Sequence, residues 1–170
     1  MLRLSRLTDY AVVVLIRLAE GERAEGERAG GARCAARGEE AVQTSPGIAA
    51  ATGVPEPTVA KVLKALACAG LVASQRGAHG GYRLARPLRA ISVVDVIAAV
   101  DGPIALTACV DGGGAGCDVA SLCAVRGRWD VVNEAIRSAL DRITLADMRA
   151  APLPLPPARP MKLPAAEAAE

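Results

Sequence analysis

Near the start of the chain, Leu4, Leu7, Ala11, Val14, Leu15 and Leu18 recur at steps of three and four, with Arg3, Arg6, Asp9 and Arg17 off that stripe. Such spacing predicts an amphipathic opening helix. A second start signal is Ser45-Pro46, an N-cap residue followed by proline at the first helical position, and this helix lasts barely two turns before Thr52-Gly53. After Gly53-Val54-Pro55, a third helix begins near Pro57, lines up Val59, Val62, Leu63 and Leu66 on one face, and stops at Gly70. Short helix, glycine turn and longer helix make a helix-turn-helix.

Residues 71–74 and 82–85 are strand-like and flank Gln75-Arg76-Gly77-Ala78-His79-Gly80-Gly81, whose glycines permit the positive φ of a hairpin tip. This hairpin reads as a wing. Ser92 and Asp95 form a capping-box start for a helix through Val93, Val96, Ile97 and Val100, ended by Asp101-Gly102-Pro103. A loop from Leu106 to Cys123 follows, with three cysteines and four glycines. Beyond it Val125, Trp129, Val132, Ile136, Leu140 and Ile143 repeat at steps of 4, 3, 4, 4 and 3. A seam that narrow suits a partner helix.

Two stretches lack such patterning. Residues 20–40 consist of Ala, Gly, Glu, Arg and one Cys, so they have no large apolar side chain to bury and read as a flexible insertion. Residues 151–170 hold 6 prolines without apolar periodicity and read as a disordered tail. The expected organisation is a winged helix-turn-helix DNA-binding domain in 1–19 and 42–90, an insertion at 20–41, a cysteine loop and long helix in 91–149, and a tail from 150 to 170. The fold class is mainly α.

Composition narrows the picture. The 170 residues suit one compact domain with accessories. Phe 0, Trp 1 and Tyr 2 leave Ala, Val and Leu to build the core, which favours close helix packing over an aromatic-rich sandwich. The longest apolar run, Ala11 to Ile16, falls far short of the ~20 residues a membrane-spanning helix needs. No secretory signal is visible at the first residues, and five cysteines, an odd number, fit a reducing compartment. A cytoplasmic location is expected, with no membrane partner.

The net charge of +2 conceals an uneven distribution. Between residues 45 and 90, Lys61, Lys64, Arg76, Arg83, Arg86 and Arg89 face the single acid Glu56, giving +5, which leaves −3 for the rest. Positive charge concentrated on a helix-turn-helix and wing is the footprint of phosphate binding. Thr58, Lys61 and Lys64 lie opposite the apolar stripe of the third helix, so burying that stripe turns them toward a major groove. Arg76 and His79 at the hairpin tip are positioned for an adjacent minor groove. The chain has one histidine, no nucleophile beside a base and no phosphate-cradling glycine loop before a helix, which argues against an enzyme.

Cys109, Cys117 and Cys123 are spaced C-x7-C-x5-C in glycine-rich sequence. Thiolates are soft ligands for zinc or iron-sulfur clusters. Structural zinc usually takes cysteines in close pairs, and none exists here, so a cluster with a non-cysteine fourth ligand is the better match. Direct oxidant sensing by the thiols, with no metal, is the competing possibility. Cys68 reads as a core residue and Cys34 as incidental.

The chain resembles the winged-helix iron-sulfur regulators that include IscR, NsrR and the SUF-system regulators. The likeness rests on residues 1–11, on Val54-Pro-Glu-Pro-Thr-Val-Ala-Lys61, on Leu71-Val72, on Arg76-Gly-Ala-His-Gly-Gly-Tyr82, on the three cysteines and on Ile143-Thr-Leu-Ala-Asp147; the opening and closing motifs are most similar to the SUF-system branch. The resemblance implies a homodimer held by the long helix, two wings reading a double-stranded DNA operator, and control of iron-sulfur assembly genes by a cluster, [2Fe-2S] in preference to [4Fe-4S]. Cys109, Cys117 and Cys123 match the cluster cysteines, and Arg76 matches the wing arginine. Gly80 and Tyr82 belong to the same wing motif and join the DNA-binding set. IscR-like members carry a histidine three residues after the last cysteine, where this chain has Arg126. NsrR-like members use an aspartate of the first helix from the other subunit, and Asp9 stands at that place. Ala60 replaces an acidic residue of IscR on the recognition helix.

Overall fold

The computed structural model describes residues 4–29, 42–77, 80–107, 110, 123–125 and 127–149. The elements are α1 (Arg6–Ala29), α2 (Ser45–Thr52), α3 (Glu56–Cys68), β1 (Val72–Gln75), β2 (Gly81–Leu84), a 3-10 turn at Leu88–Ala90, α4 (Val93–Val100), α5 (Arg128–Asp141) and α6 (Leu145–Arg149). Each predicted helix is present, although the long one is shorter than its seam predicts and leaves Val125 and Ile143 outside it, and the wing is a two-stranded antiparallel hairpin. Its register pairs Val72 with Leu84 and Gln75 with Gly81.

The core forms where the stripes of α1, α2, α3 and α4 meet. Ala11, Val14, Leu15 and Leu18 of α1 pack with Ile48, with the buried face of α3 and with Leu71, Val72 and Leu84 of the wing base. Each fully buried Leu or Val contributes ~1.5–3 kcal/mol of transfer free energy. Leu4, counted on the opening stripe, precedes α1 and is half exposed. The core continues through residue 91: Ile91 and Val96 join it, and Leu145 of α6 is fully buried in the same cluster. Backbone bonds fasten this return, from Val93 N to Ile143 O and from Leu145 N to Ile91 O, both 2.9 Å.

Three sequence expectations need correction. The opening helix does not end at residue 19 but reaches Ala29, ten residues into the segment expected to be a flexible insertion. Ala, Glu and Arg are strong helix formers, and their backbone preference acts without an apolar stripe. The N-cap of α2 is Thr44, whose hydroxyl accepts from Gly47 N at 3.2 Å, so Ser45 is the first helical residue. Cys68 is exposed, because the buried face of α3 advances through positions 59, 62, 63 and 66 and leaves the last residue outside it. Residues 30–41 and 150–170 lie outside the described residues, so the rest of the insertion, Cys34 and the tail are not placed.

Gln43 joins three parts of the fold. Its backbone exchanges bonds with Tyr82 (Gln43 N to Tyr82 O 2.9 Å, Tyr82 N to Gln43 O 2.8 Å), adding a one-residue third edge to the wing. Its side-chain amide donates to Arg17 O and Leu18 O of α1, at 3.1 and 3.2 Å. Both contacts need glycine opposite them: a Cβ on Gly21 would overlap the Gln43 amide, and one on Gly81 would lie 2.8 Å from Gln43 O.

Candidate nucleic-acid interface and thiol segment

The turn between α2 and α3 is made by Gly53, held at φ 72° where residues other than glycine are strained. Pro55 caps α3 and accepts from Thr58 N at 2.9 Å. Burial of Val59, Val62, Leu63 and Leu66 leaves Lys61 and Lys64 exposed, with Ala60 also exposed and Thr58 half-buried at the first turn.

The wing tip needs its glycines for specific reasons. Gly77 has φ 120°, and its carbonyl accepts from Gly80 N at 2.9 Å. A Cβ on Gly80 would sit 2.6 Å from Gln75 O, inside any tolerated contact. Arg76 projects, exposed, from the strand end. Arg76, Gly80 and Tyr82, together with Ser45 and Ser74, line an open cleft of about 520 Å³ between the start of α2 and the wing. Tyr82 is half-buried, packed on the core as well as lining the cleft. The structure thus brings Arg76, Gly80 and Tyr82 to one surface, and places Lys61 and Lys64 on the exposed side of the neighbouring helix. His79 lies outside the described residues.

Of the three loop cysteines, Cys123 is described. It is half-buried and in no disulfide, while Cys109 and Cys117 lie outside the described residues. Among the described residues no three His, Cys, Asp or Glu side chains gather into a metal site. Cys123 is the described member of the three, and a thiolate is the soft ligand type that iron-sulfur clusters take. Asp9 is exposed in the first turn of α1. Its neighbour Thr8 is buried and donates its hydroxyl to Asp101 Oδ2 at 2.6 Å; Ser5 N reaches the same oxygen at 3.4 Å. Burial pulls the Asp101 pKa upward, but the hydrogen bonds from Ser5 and Thr8 outweigh it and hold the carboxyl below its ordinary value.

Two features escaped sequence reading. Asn133, on α5, is buried and bonds the backbone on the approach to the cysteines: its Nδ2 donates to Ile104 O at 2.9 Å and Leu106 N donates to its Oδ1 at 3.1 Å. The sole sequence signal is an amide beside an otherwise apolar seam. The other is Gln43, whose partners are 25 and 26 residues away. Of the seam residues, Val125, Trp129, Val132 and Ile143 are exposed, and Ile136 and Leu140 are half-buried.

A helix-turn-helix presenting lysines beside a glycine-tipped hairpin defines a winged-helix DNA-binding regulator. The family model described as "Rrf2: Iron-dependent Transcriptional regulator" matches residues 32–151. The chain belongs to the Rrf2 family, whose members are transcriptional regulators and not enzymes. It is 33% identical over 153 residues to an HTH-type transcriptional regulator of Mycobacterium tuberculosis, covering 90% of this chain and 84% of that one. It is 43% identical over 79 residues to IscR of Yersinia pestis, covering 46% of this chain and 47% of the relative. Among solved structures, CymR, the global cysteine regulator of B. subtilis, matches with TM-score 0.58 and 27% identity, over 87% of this chain and 96% of that one. T. potens IscR matches with TM-score 0.54 and 30% identity, over 86% and 85%. Among the described residues no helix is long and apolar enough to cross a membrane.

Proposed function

We propose that this regulator acts as a cytoplasmic homodimer whose operator binding is modulated by an iron-sulfur cluster, [2Fe-2S] in preference to [4Fe-4S], and that it controls iron-sulfur assembly genes of the SUF or ISC kind. The observation that supports the reading is the placement of a half-buried Cys123, in no disulfide, just before a helix whose seam residues Trp129 and Val132 are exposed. In this reading the seam of α5 pairs with that of a second copy, and Cys109, Cys117 and Cys123 hold the cluster. Asp9, exposed on α1, is the proposed fourth ligand, contributed by the second copy. When bound, the cluster supplies a centre sensitive to iron supply and oxidants.

The chain's own residues do the reading. Lys61 and Lys64 neutralise phosphates and, with Thr58, present α3 to a major groove; Arg76, His79, Gly80 and Tyr82 form the wing that follows the adjacent minor groove. A dimer sets two such modules on half-sites one helical turn or a multiple of it apart. Changing that spacing by ordering the thiol segment changes affinity, and a coupling of ~1–3 kcal/mol is worth roughly 5- to 150-fold.

The test is a gel shift on the promoter beside its own gene, with anaerobically purified holo and apo protein whose iron and acid-labile sulfide are measured. Different affinities for the two forms are expected, and equal affinities overturn the sensing role. A second reading is direct thiol sensing without a metal, for which Cys123, half-buried and in no disulfide, is a reactive candidate. Colourless protein without iron or sulfide, whose operator affinity still changes with oxidant, selects it.

A further inference from the structure

The hydrophobic core grips the wing at its base, through Leu71, Val72 and Leu84. Toward the tip, Ser74 and Gln75 of β1 are exposed, so that strand gains nothing from the core where Arg76 begins. A two-stranded hairpin is marginally stable by itself, and its free end needs another tie. Gln43 supplies one. At Tyr82, β2 is bonded on both edges, to β1 opposite Ser74 and to the backbone of Gln43. The next register pair, Gln75 with Gly81, immediately precedes Arg76.

The other end of Gln43 is fastened to α1. Its Nε2 donates to Arg17 O at 3.1 Å and to Leu18 O at 3.2 Å, and both carbonyls lie within the helix. The same stretch of α1 carries Val14, Leu15 and Leu18, which share one buried cluster with Val59, Val62, Leu63 and Leu66 of α3. Helix α1 is therefore a common frame: α3 rests on its apolar face, and the wing is hung on its carbonyls by one side chain. The following residue, Thr44, caps α2, so the clasp passes directly into the helix-turn-helix.

We propose that Gln43 is a positioning residue for DNA reading: by joining Tyr82 to α1 it fixes Arg76 of the wing relative to α3, so that the two contacts fall on neighbouring grooves without rearrangement. This rests on the DNA-reading role given above to α3 and the wing. A wing freed from α1 must be ordered at the moment of binding, which lowers affinity where its contacts are used. The phosphate contacts of Lys61 and Lys64 form on any duplex and do not depend on that register.

The experiment uses full-length protein purified anaerobically. The parent selects its preferred duplex from a random-sequence pool, and anisotropy titrations then compare that duplex with an unrelated one, at a temperature where every variant is folded. Gln43→Ala is expected to weaken binding to the selected duplex by roughly 5- to 10-fold and to the unrelated one by less than about 2-fold. Arg76→Ala is expected to cost less in the Gln43→Ala background than in the parent, a coupling that a merely structural role would not produce. Gly21→Ala, whose Cβ overlaps the Gln43 amide, breaks the clasp with Gln43 still present. It is expected to reproduce the loss of discrimination, to add nothing to Gln43→Ala, and to serve in its place should Gln43→Ala fail to fold. Leu88→Ala, a core truncation outside the hairpin, is expected to keep the parent's discrimination. Equal losses on the two duplexes, an undiminished Arg76→Ala cost, parental discrimination in Gly21→Ala, or the same loss in Leu88→Ala overturns the inference alone. A parent that selects no duplex, or in which Arg76→Ala changes nothing, overturns the inference and the wing reading together.

Discussion

Thr8 and Asp101 are 93 residues apart in sequence, yet the Thr8 hydroxyl lies 2.6 Å from Asp101 Oδ2. The bond ties the first turn of α1 to the end of α4, and the chain runs from there through Ile104 and Leu106, held by Asn133, toward the cysteines. A single short strap thus touches the opening helix, the long helix and the thiol segment.

Because Asp101 titrates below an ordinary carboxyl when folded, its contribution to stability is complete above the unfolded value of about 3.9 and is lost as pH falls through the lower folded value. Asp101→Asn is expected to flatten stability against pH in that acid range while leaving the neutral-to-alkaline slope unchanged. Urea melts at several pH values check it, and an unaltered acid slope counts against the bond.

Gly21 and Gln43 are expected to show a reversal of sign. In the parent, Gly21→Ala displaces the Gln43 amide from Arg17 O and Leu18 O, each bond worth ~1 kcal/mol, which offsets or exceeds the ~1 kcal/mol gained in helix propensity. In a Gln43→Ala background the space is open, and Gly21→Ala is expected to stabilise by up to ~1 kcal/mol. A double-mutant cycle by thermal melts measures it; additivity would show that the clasp is not formed.

Lys61→Ala and Lys64→Ala are each expected to weaken DNA binding across sequences and to lower the slope of log affinity against log salt by ~1. Arg76→Ala is expected to reduce discrimination between operator and random duplex as well. Anisotropy titrations over a salt series read all three, and an unchanged slope would remove the lysines from the interface.

Val132→Asp is expected to yield a monomer with a melting temperature close to that of the dissociated parent, since Val132 is 42% exposed within one chain. Sedimentation across a concentration series checks it. A parent that stays monomeric throughout overturns the pairing of α5.

Local rules made most of the winged helix legible. The stripes of α1 and α3, the glycine turn at Gly53 and the Ser92–Asp95 capping box each follow from residues within one or two turns. The strands fall one residue away from expectation, β1 starting at Val72 rather than Leu71, because Leu71 N still closes the end of α3 by donating to Leu66 O at 3.0 Å. The length of α1 was hidden because periodicity reports burial and not backbone propensity. Asn133 and Gln43 were illegible as anchors because their partners are backbone groups more than 20 residues away, and any residue type offers those groups.

The pairing of residues 91 and 93 with 143 and 145 has a consequence for biosynthesis. Leu145 fills a place among side chains contributed by the first hundred residues, so a nascent chain released from the ribosome only as far as α4 lacks a piece of its own interior. The groove-reading module therefore reaches its finished form only once α6 has emerged, after the cysteines and the whole of α5 have already been translated.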